Sequence, residues 1–475
     1  MGRIEHGARQ MAPLLAMGFL VACGGDGGST PAPVAAPDGA PTFTSAQTVS
    51  VAENSSGSFY SASATDPDGD AVAISLAANG DAAAFSFSDG ALRFVRPPNF
   101  DQPTDADYDN LYTVTLVAQD SKGASTSFAV TVRVTNQTEG ISVSRLTTGL
   151  GQDAVIAART RGAEGLITVS QDGSVREFFN GSADANSAGN VFKQGETGRV
   201  LAVAHFNGYG VAMLDIAGLG VVVRTIILQD SQLRYVIEQR IAAPSTQEAS
   251  GALWIGGDGF LFGALGDPTG NLAQDSGSGY GKYYRVQVDP YCGASTLSYC
   301  IYTENFGDGV HAPAGGRRYA SRSFMLDSGT GQQEEVSYFQ QTARPLDFGW
   351  PFWEGTLSRA TNPPPQVNGP SLTYTIGDGF FQGRGLTGGV HYTGPIGALD
   401  DRILLTDRAG KIFSFPAGFL SDTAIHSGTE MENRTADFAP IAGTIERPIA
   451  IVRDGNQRLY VLDGDGELYQ VKPAS

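Results

Sequence analysis

Cysteine, histidine and tryptophan are scarce in this chain of 475 residues, which holds three, five and three of them. Cys23, Cys292 and Cys300 are the full cysteine set, and no histidine stands near the last two, so a Cys/His zinc centre is disfavoured. Positive charge is short as well: 31 Lys and Arg stand against 49 Asp and Glu, a formal charge of -18. That balance argues against nucleic acid or an anionic membrane surface as the main partner, and it suits solubility and calcium. After the first 22 residues no segment has the length and apolarity of a membrane helix. The chain also lacks a zinc-protease helix motif, a serine nucleophile elbow and a phosphate loop. Gly279-Tyr-Gly281-Lys282 has neither the following Ser/Thr nor the spacing of a P-loop. Helical periodicity is rare, whereas 62 glycines and many short β-like runs predict an all-β protein with one small and one large domain.

Residues 1–22 have signal-peptide construction: Arg3 and Arg9 are basic, and Met11 to Ala22 is apolar but too short to span a bilayer. Leu20-Val21-Ala22-Cys23 resembles a bacterial lipobox, which implies acylation of Cys23 and a lipid anchor as the sole membrane contact. Residues 23–41 are mostly Gly, Ser, Pro, Ala and Asp with no large apolar residue, a flexible linker. The expected location is the bacterial cell envelope, at the outer membrane on its periplasmic or surface face. In that oxidising compartment Cys292 and Cys300, with seven residues between them, are expected to form a local disulfide.

Residues 42–137 alternate apolar and polar positions in short runs, as in Tyr112-Thr-Val114-Thr-Leu116-Val-Ala118, the period of a β-sandwich. Carboxylates gather at Glu53, at Asp66-Pro-Asp68-Gly-Asp70 and at Asp101, Asp105, Asp107 and Asp109. Aspartates at every second turn position can aim several oxygens at one hard cation. Neither run is an EF-hand loop, because Ala77 and Leu116 stand where its closing glutamate belongs. Val51-Ala-Glu53-Asn54, Ala64-Thr-Asp66-Pro-Asp68-Gly-Asp70 and Asp107-Tyr-Asp109-Asn-Leu-Tyr112 together resemble a bacterial cadherin-like domain. The resemblance implies calcium at a sandwich end, with Glu53, Asp68, Asp107 and Asp109 as ligands. The exit run Val134 to Glu139 departs from it, lacking the aspartate-rich linker that completes inter-repeat sites.

Residues 141–472 repeat one turn signature between apolar strand runs: Asp172-Gly173, Asp258-Gly259, Ala409-Gly410, Asp454-Gly455 and Asp465-Gly466. Glycine there accepts positive φ where strands reverse, and recurrent strand–turn–strand units point to a β-propeller. In order along the domain, Gly195 to Phe206, Gly256 to Asp267, Gly281 to Asp289, Gln332 to Val336 with Phe348-Gly-Trp350-Pro351, and Leu386 to Gly394 resemble the PQQ-dependent glucose/sorbosone dehydrogenases. The resemblance implies a six-bladed propeller. It also implies a cleft walled by Trp350, Trp353, His391 and Tyr392, and oxidation of a sugar hydroxyl by PQQ and calcium.

The polar anchors of that chemistry are replaced. Where the family has its histidine base, the run Glu248-Ala-Ser250-Gly251 holds Glu248. The arginine of its GLRNP run aligns with His311 and that of its YRG run with Thr393. Glu248 and His311 therefore become the candidate catalytic residues if activity persists. A propeller kept as a scaffold for a small-molecule sugar, a glycan or a protein partner fits the replacements better.

Overall fold

Strict alternation builds the small domain. Along the strand Leu111–Asp120 every second side chain from Tyr112 to Asp120 is buried, so one face packs inward and the other meets solvent. The computed structural model describes residues 37–158, 165–179, 181–182, 185–206, 209–229, 232–256, 258–289, 300–421 and 424–474. Cys23, the signal segment and Cys292 lie outside them; Cys300 is disulfide-bonded.

The sandwich sets a four-stranded sheet (Thr48–Ala52, Ser125–Thr135, Leu111–Asp120, Val72–Leu76) against a three-stranded one (Ser58–Ser61, Ala91–Phe94, Phe85–Ser88). Val114, Leu116, Val130 and Val132 fill the core, and Tyr112 meets Phe85 and Phe94 edge-on.

Six further sheets follow, each antiparallel through its first four strands. Their innermost strands are Val155–Ala158, Gly198–Phe206, Gly251–Ile255, Pro313–Tyr319, Leu386–Tyr392 and Pro448–Arg453, here the inner strands of blades I to VI. Each touches the next, and blade VI returns to blade I, so the sheets close into a six-bladed propeller. Blade VI takes its outer strand from the start of the domain: Ile141–Thr147 pairs antiparallel with Leu468–Pro473. That pairing fastens the ring, since first and last segments share one sheet. There is no α-helix among the described residues.

Four of the five expected turns put their glycine at positive φ, from +81° at Gly410 to +92° at Gly466. The Asp454-Gly455 turn departs. It is longer, and its left-handed residue is Gln457 at +65°.

The two domains share a polar joint. Asp101 of the sandwich and Arg434 and Asp437 of the propeller are all buried there. One Arg434 nitrogen reaches Asp101 at 2.8 Å, Asp437 at 3.1 Å and also Glu139, and the other reaches Glu432 at 2.5 Å. Asn136 donates to Asp437 at 2.9 Å, the Asn433 amide donates to the Asp101 carbonyl at 2.8 Å, and Tyr108 meets Phe381 edge-on.

Candidate functional site

The leading ends of the six inner strands surround a funnel of 910 Å³, within the usual range of ligand pockets, roughly 300–1,000 Å³. Its deeper wall is aliphatic, with Ile156, Leu201, Leu253, Ala314 and Ile451. Arg199, Arg317, Arg384, Arg408 and Arg447 supply its charge, opposed by Asp153, Glu248 and Asp267. No Phe, Tyr or Trp among the described residues lines it.

Buried aspartates at the ends of second strands hold the segments that enter this funnel. Asp327 accepts the backbone N–H of His311 at 2.8 Å and also that of Ala312. Asp407 accepts those of Arg384 at 2.8 Å and Gly385 at 3.2 Å, and Asp463 accepts that of Arg447 at 2.7 Å. In blade III, Asp267 accepts the N–H groups of Thr269, Gly270, Leu272 and Ala273. Without these carboxylates, buried donors would lack partners. The sequence signal was an aspartate closing an apolar strand run, which reads equally well as an ordinary turn residue.

Of the expected site residues, Glu248 and His311 line the funnel. The Glu248 side chain is 78% exposed and lies 3.2 Å from Arg199. His311 packs its ring against Trp350 at 4.0 Å between centroids, and its Nδ1 meets the Ser328 carbonyl oxygen.

The expected aromatic wall is corrected. Trp350 is buried behind His311, with the Arg359 guanidinium 4.1 Å from its ring, and does not line the funnel. Trp353 donates its indole N–H to the Pro364 carbonyl at 2.9 Å, outside the lining. His391 and Tyr392 sit at the far end of the blade V inner strand, whose first residues are the ones that reach the funnel. There His391 pairs with Asp401 at 2.9 Å, and Tyr392 is buried. Thr393 is also remote from the funnel and hydrogen-bonds Arg453. The reason is strand length: about five residues of rise carry a side chain about 17 Å along the propeller.

The four expected calcium ligands do not form one set. Val72 pairs with Asp120 and Leu111 with Arg133, so Asp68 and the Asp107/Asp109 turn lie at opposite ends of the sandwich. Asp68 groups with Asp38 and Asp70, and Lys122 reaches Asp70 at 2.8 Å and Asp38 at 3.3 Å. Asp107 and Asp109 group with buried Asp105. Glu53 spends its two oxygens on the N–H groups of Phe100, at 2.8 Å, and Gln137, at 2.7 Å. A third acidic group, Asp101, Glu139 and Asp437, is the one that Arg434 reaches at the domain joint.

Comparison with known proteins agrees with this architecture. Residues 37–133 match the bacterial Ig domain family. The chain is similar in fold to a putative oxidoreductase (glucose dehydrogenase) from Thermus thermophilus, with 18% identity and a TM-score of 0.50, over 70% of this chain and 100% of that one. A second structure, described as glucose dehydrogenase, gives 18% identity and a TM-score of 0.52 over 69% and 98%. No curated protein sequence matches the chain significantly. The molecule is thus an all-β protein in which a bacterial Ig domain precedes a propeller of the glucose-dehydrogenase fold.

Glu248, the residue expected as the base, does not fit that role in this geometry. A general base works in a dry site within reach of the hydroxyl proton. Glu248 instead projects into solvent beside a guanidinium.

Proposed function

We propose that the propeller is a ligand-binding scaffold of the cell envelope, recognising a glycan in its funnel without oxidising it. The chain would be exported and lipid-anchored through Cys23, with the Ig-like domain holding the propeller away from the membrane. The carrying observation is Glu248, which stands at the family's base position yet is solvent-exposed and ion-paired with Arg199. Such a group faces solvent and a guanidinium rather than a substrate hydroxyl in a dry site. Calcium is proposed at the Asp105/Asp107/Asp109 turn, whose ligand oxygens lie within 4.8 Å of one another.

The fold likeness to glucose dehydrogenases supports a second reading, a PQQ- and calcium-dependent oxidation of a sugar hydroxyl. Calorimetric titration of the mature protein with saccharides, beside titration with PQQ, separates the two. The binding reading expects saturable saccharide binding with no quinone needed. Binding of sugar only after PQQ has been added would overturn it.

A further inference from the structure

The funnel's charge stands against that of the whole chain. Five arginines and three carboxylates line it in a protein of formal charge -18. Two of the carboxylates pair with funnel arginines, Asp153 with Arg447 at 2.6 Å and Glu248 with Arg199 at 3.2 Å, and Asp267 accepts four backbone N–H groups. Arg384 is paired with Asp378.

Arg317 differs from these. It sits on the blade IV inner strand within the funnel lining, and its one hydrogen bond among the described residues goes to the carbonyl oxygen of its neighbour Gly316, at 2.7 Å. No carboxylate faces it among the described residues. Arg317 is half-buried, and desolvation without a counter-charge pushes its pKa down to about 10. Arg408 at the rim likewise has no carboxylate partner among the described residues.

Among the described residues the lining also lacks the aromatic platform on which a neutral sugar ring stacks. Beside the aliphatic wall, charge and hydrogen bonding remain to give direction to recognition. A guanidinium fork matches a carboxylate in two parallel N–H···O bonds, stronger than neutral hydrogen bonds and directional.

From this we infer that the funnel's ligand is an acidic saccharide of the uronic-acid type, its carboxylate received by Arg317 and its approach steered by Arg408. The inference rests on the glycan-binding reading above and adds the sign and position of the ligand's charge.

The test uses the mature full-length protein, a panel of uronate oligosaccharides and their carboxyl-reduced neutral counterparts, read by calorimetry. At least one uronate probe is expected to bind, and its neutral counterpart to bind about tenfold to a hundredfold more weakly, the effect of losing one charge-assisted hydrogen-bonded pair. R317Q should lose a similar factor. R408Q, at the exposed rim and without folding risk, should weaken binding less and reduce its salt dependence. Equal affinity for acidic and neutral partners, unchanged in R317Q and R408Q, would overturn the inference and leave glycan binding standing. Failure of every saccharide to bind, with PQQ alone binding, would overturn both.

Discussion

At the scale of single residues, the most consequential side chains are the strand-ending aspartates. Asp407 accepts the Ala409 amide at 2.7 Å and the Tyr374 hydroxyl at 2.8 Å, besides its two bonds at the funnel mouth. D407A leaves three backbone N–H groups and a buried hydroxyl without their acceptor. The expected cost is about 3–5 kcal/mol in unfolding free energy, measured by denaturant titration. A loss below about 1 kcal/mol would mean that water replaces the carboxylate. Nothing in the sequence singles these aspartates out, because their role depends on which neighbouring backbone they face. Glu248 and His311, expected as candidate catalytic residues, both reach the funnel lining. The Trp350 and Trp353 pair was legible as a marker of the fold. Its direction was not, because burial behind His311 depends on the packing of a loop with no periodic pattern.

Elements were read well where period and turn chemistry agree. The Leu111–Asp120 strand and the Asp172-Gly173 turn, with φ of +85° at its glycine, follow from local sequence alone. The joint between domains does not, because Asp101 and Arg434 are far apart in the chain and no motif links them. Burial pushes the Asp101 carboxyl up to about 9 against the pull of Arg434, with Asp437, Glu53 and Glu139 adding to the rise, so this carboxyl holds its proton near neutral pH. R434M removes the guanidinium that reaches Asp101, Glu139 and Asp437, while Glu432 keeps Arg402 at 2.5 Å. Its expected cost is about 3–5 kcal/mol, with calorimetry resolving separate transitions for sandwich and propeller. A single unshifted transition would show that the joint adds nothing to coupling. For the acidic turn at Asp105, Asp107 and Asp109, added calcium should raise the melting temperature of the sandwich and a chelator should reverse the rise. Identical melting with and without chelator would remove calcium from the account.

For the molecule as a whole, order along the chain carried most of the fold. The family-like motifs appear in blade sequence, and sandwich and propeller follow from them. The contents of the funnel were less accessible, since its arginines come from several blades and share no local pattern. Burial of carboxyl groups also gives the molecule a pH dependence. Glu334, buried in blade IV, is pushed up to about 7, and desolvation is the chief cause. The folded chain therefore holds a proton there that the unfolded chain has released, between the ordinary carboxylate range and about pH 7. Stability must fall as pH rises through that window, by on the order of 3 kcal/mol for this group. Glu139 and Glu354, held below the ordinary range, act only at lower pH. Melting should thus be higher near about pH 5.5 than near about pH 8.5, and E334Q should shrink that difference. An undiminished difference in E334Q would place the effect on other groups.

The central claim is that this propeller keeps the dehydrogenase fold while its funnel binds rather than oxidises. The most direct measurement supplies the purified protein with PQQ, calcium and aldoses or uronates, and follows sugar-dependent reduction of a dye. No turnover above a protein-free control is expected, for wild type and E248A alike. Sugar-dependent turnover by the wild type that disappears in E248A would contradict the account and make Glu248 a working base.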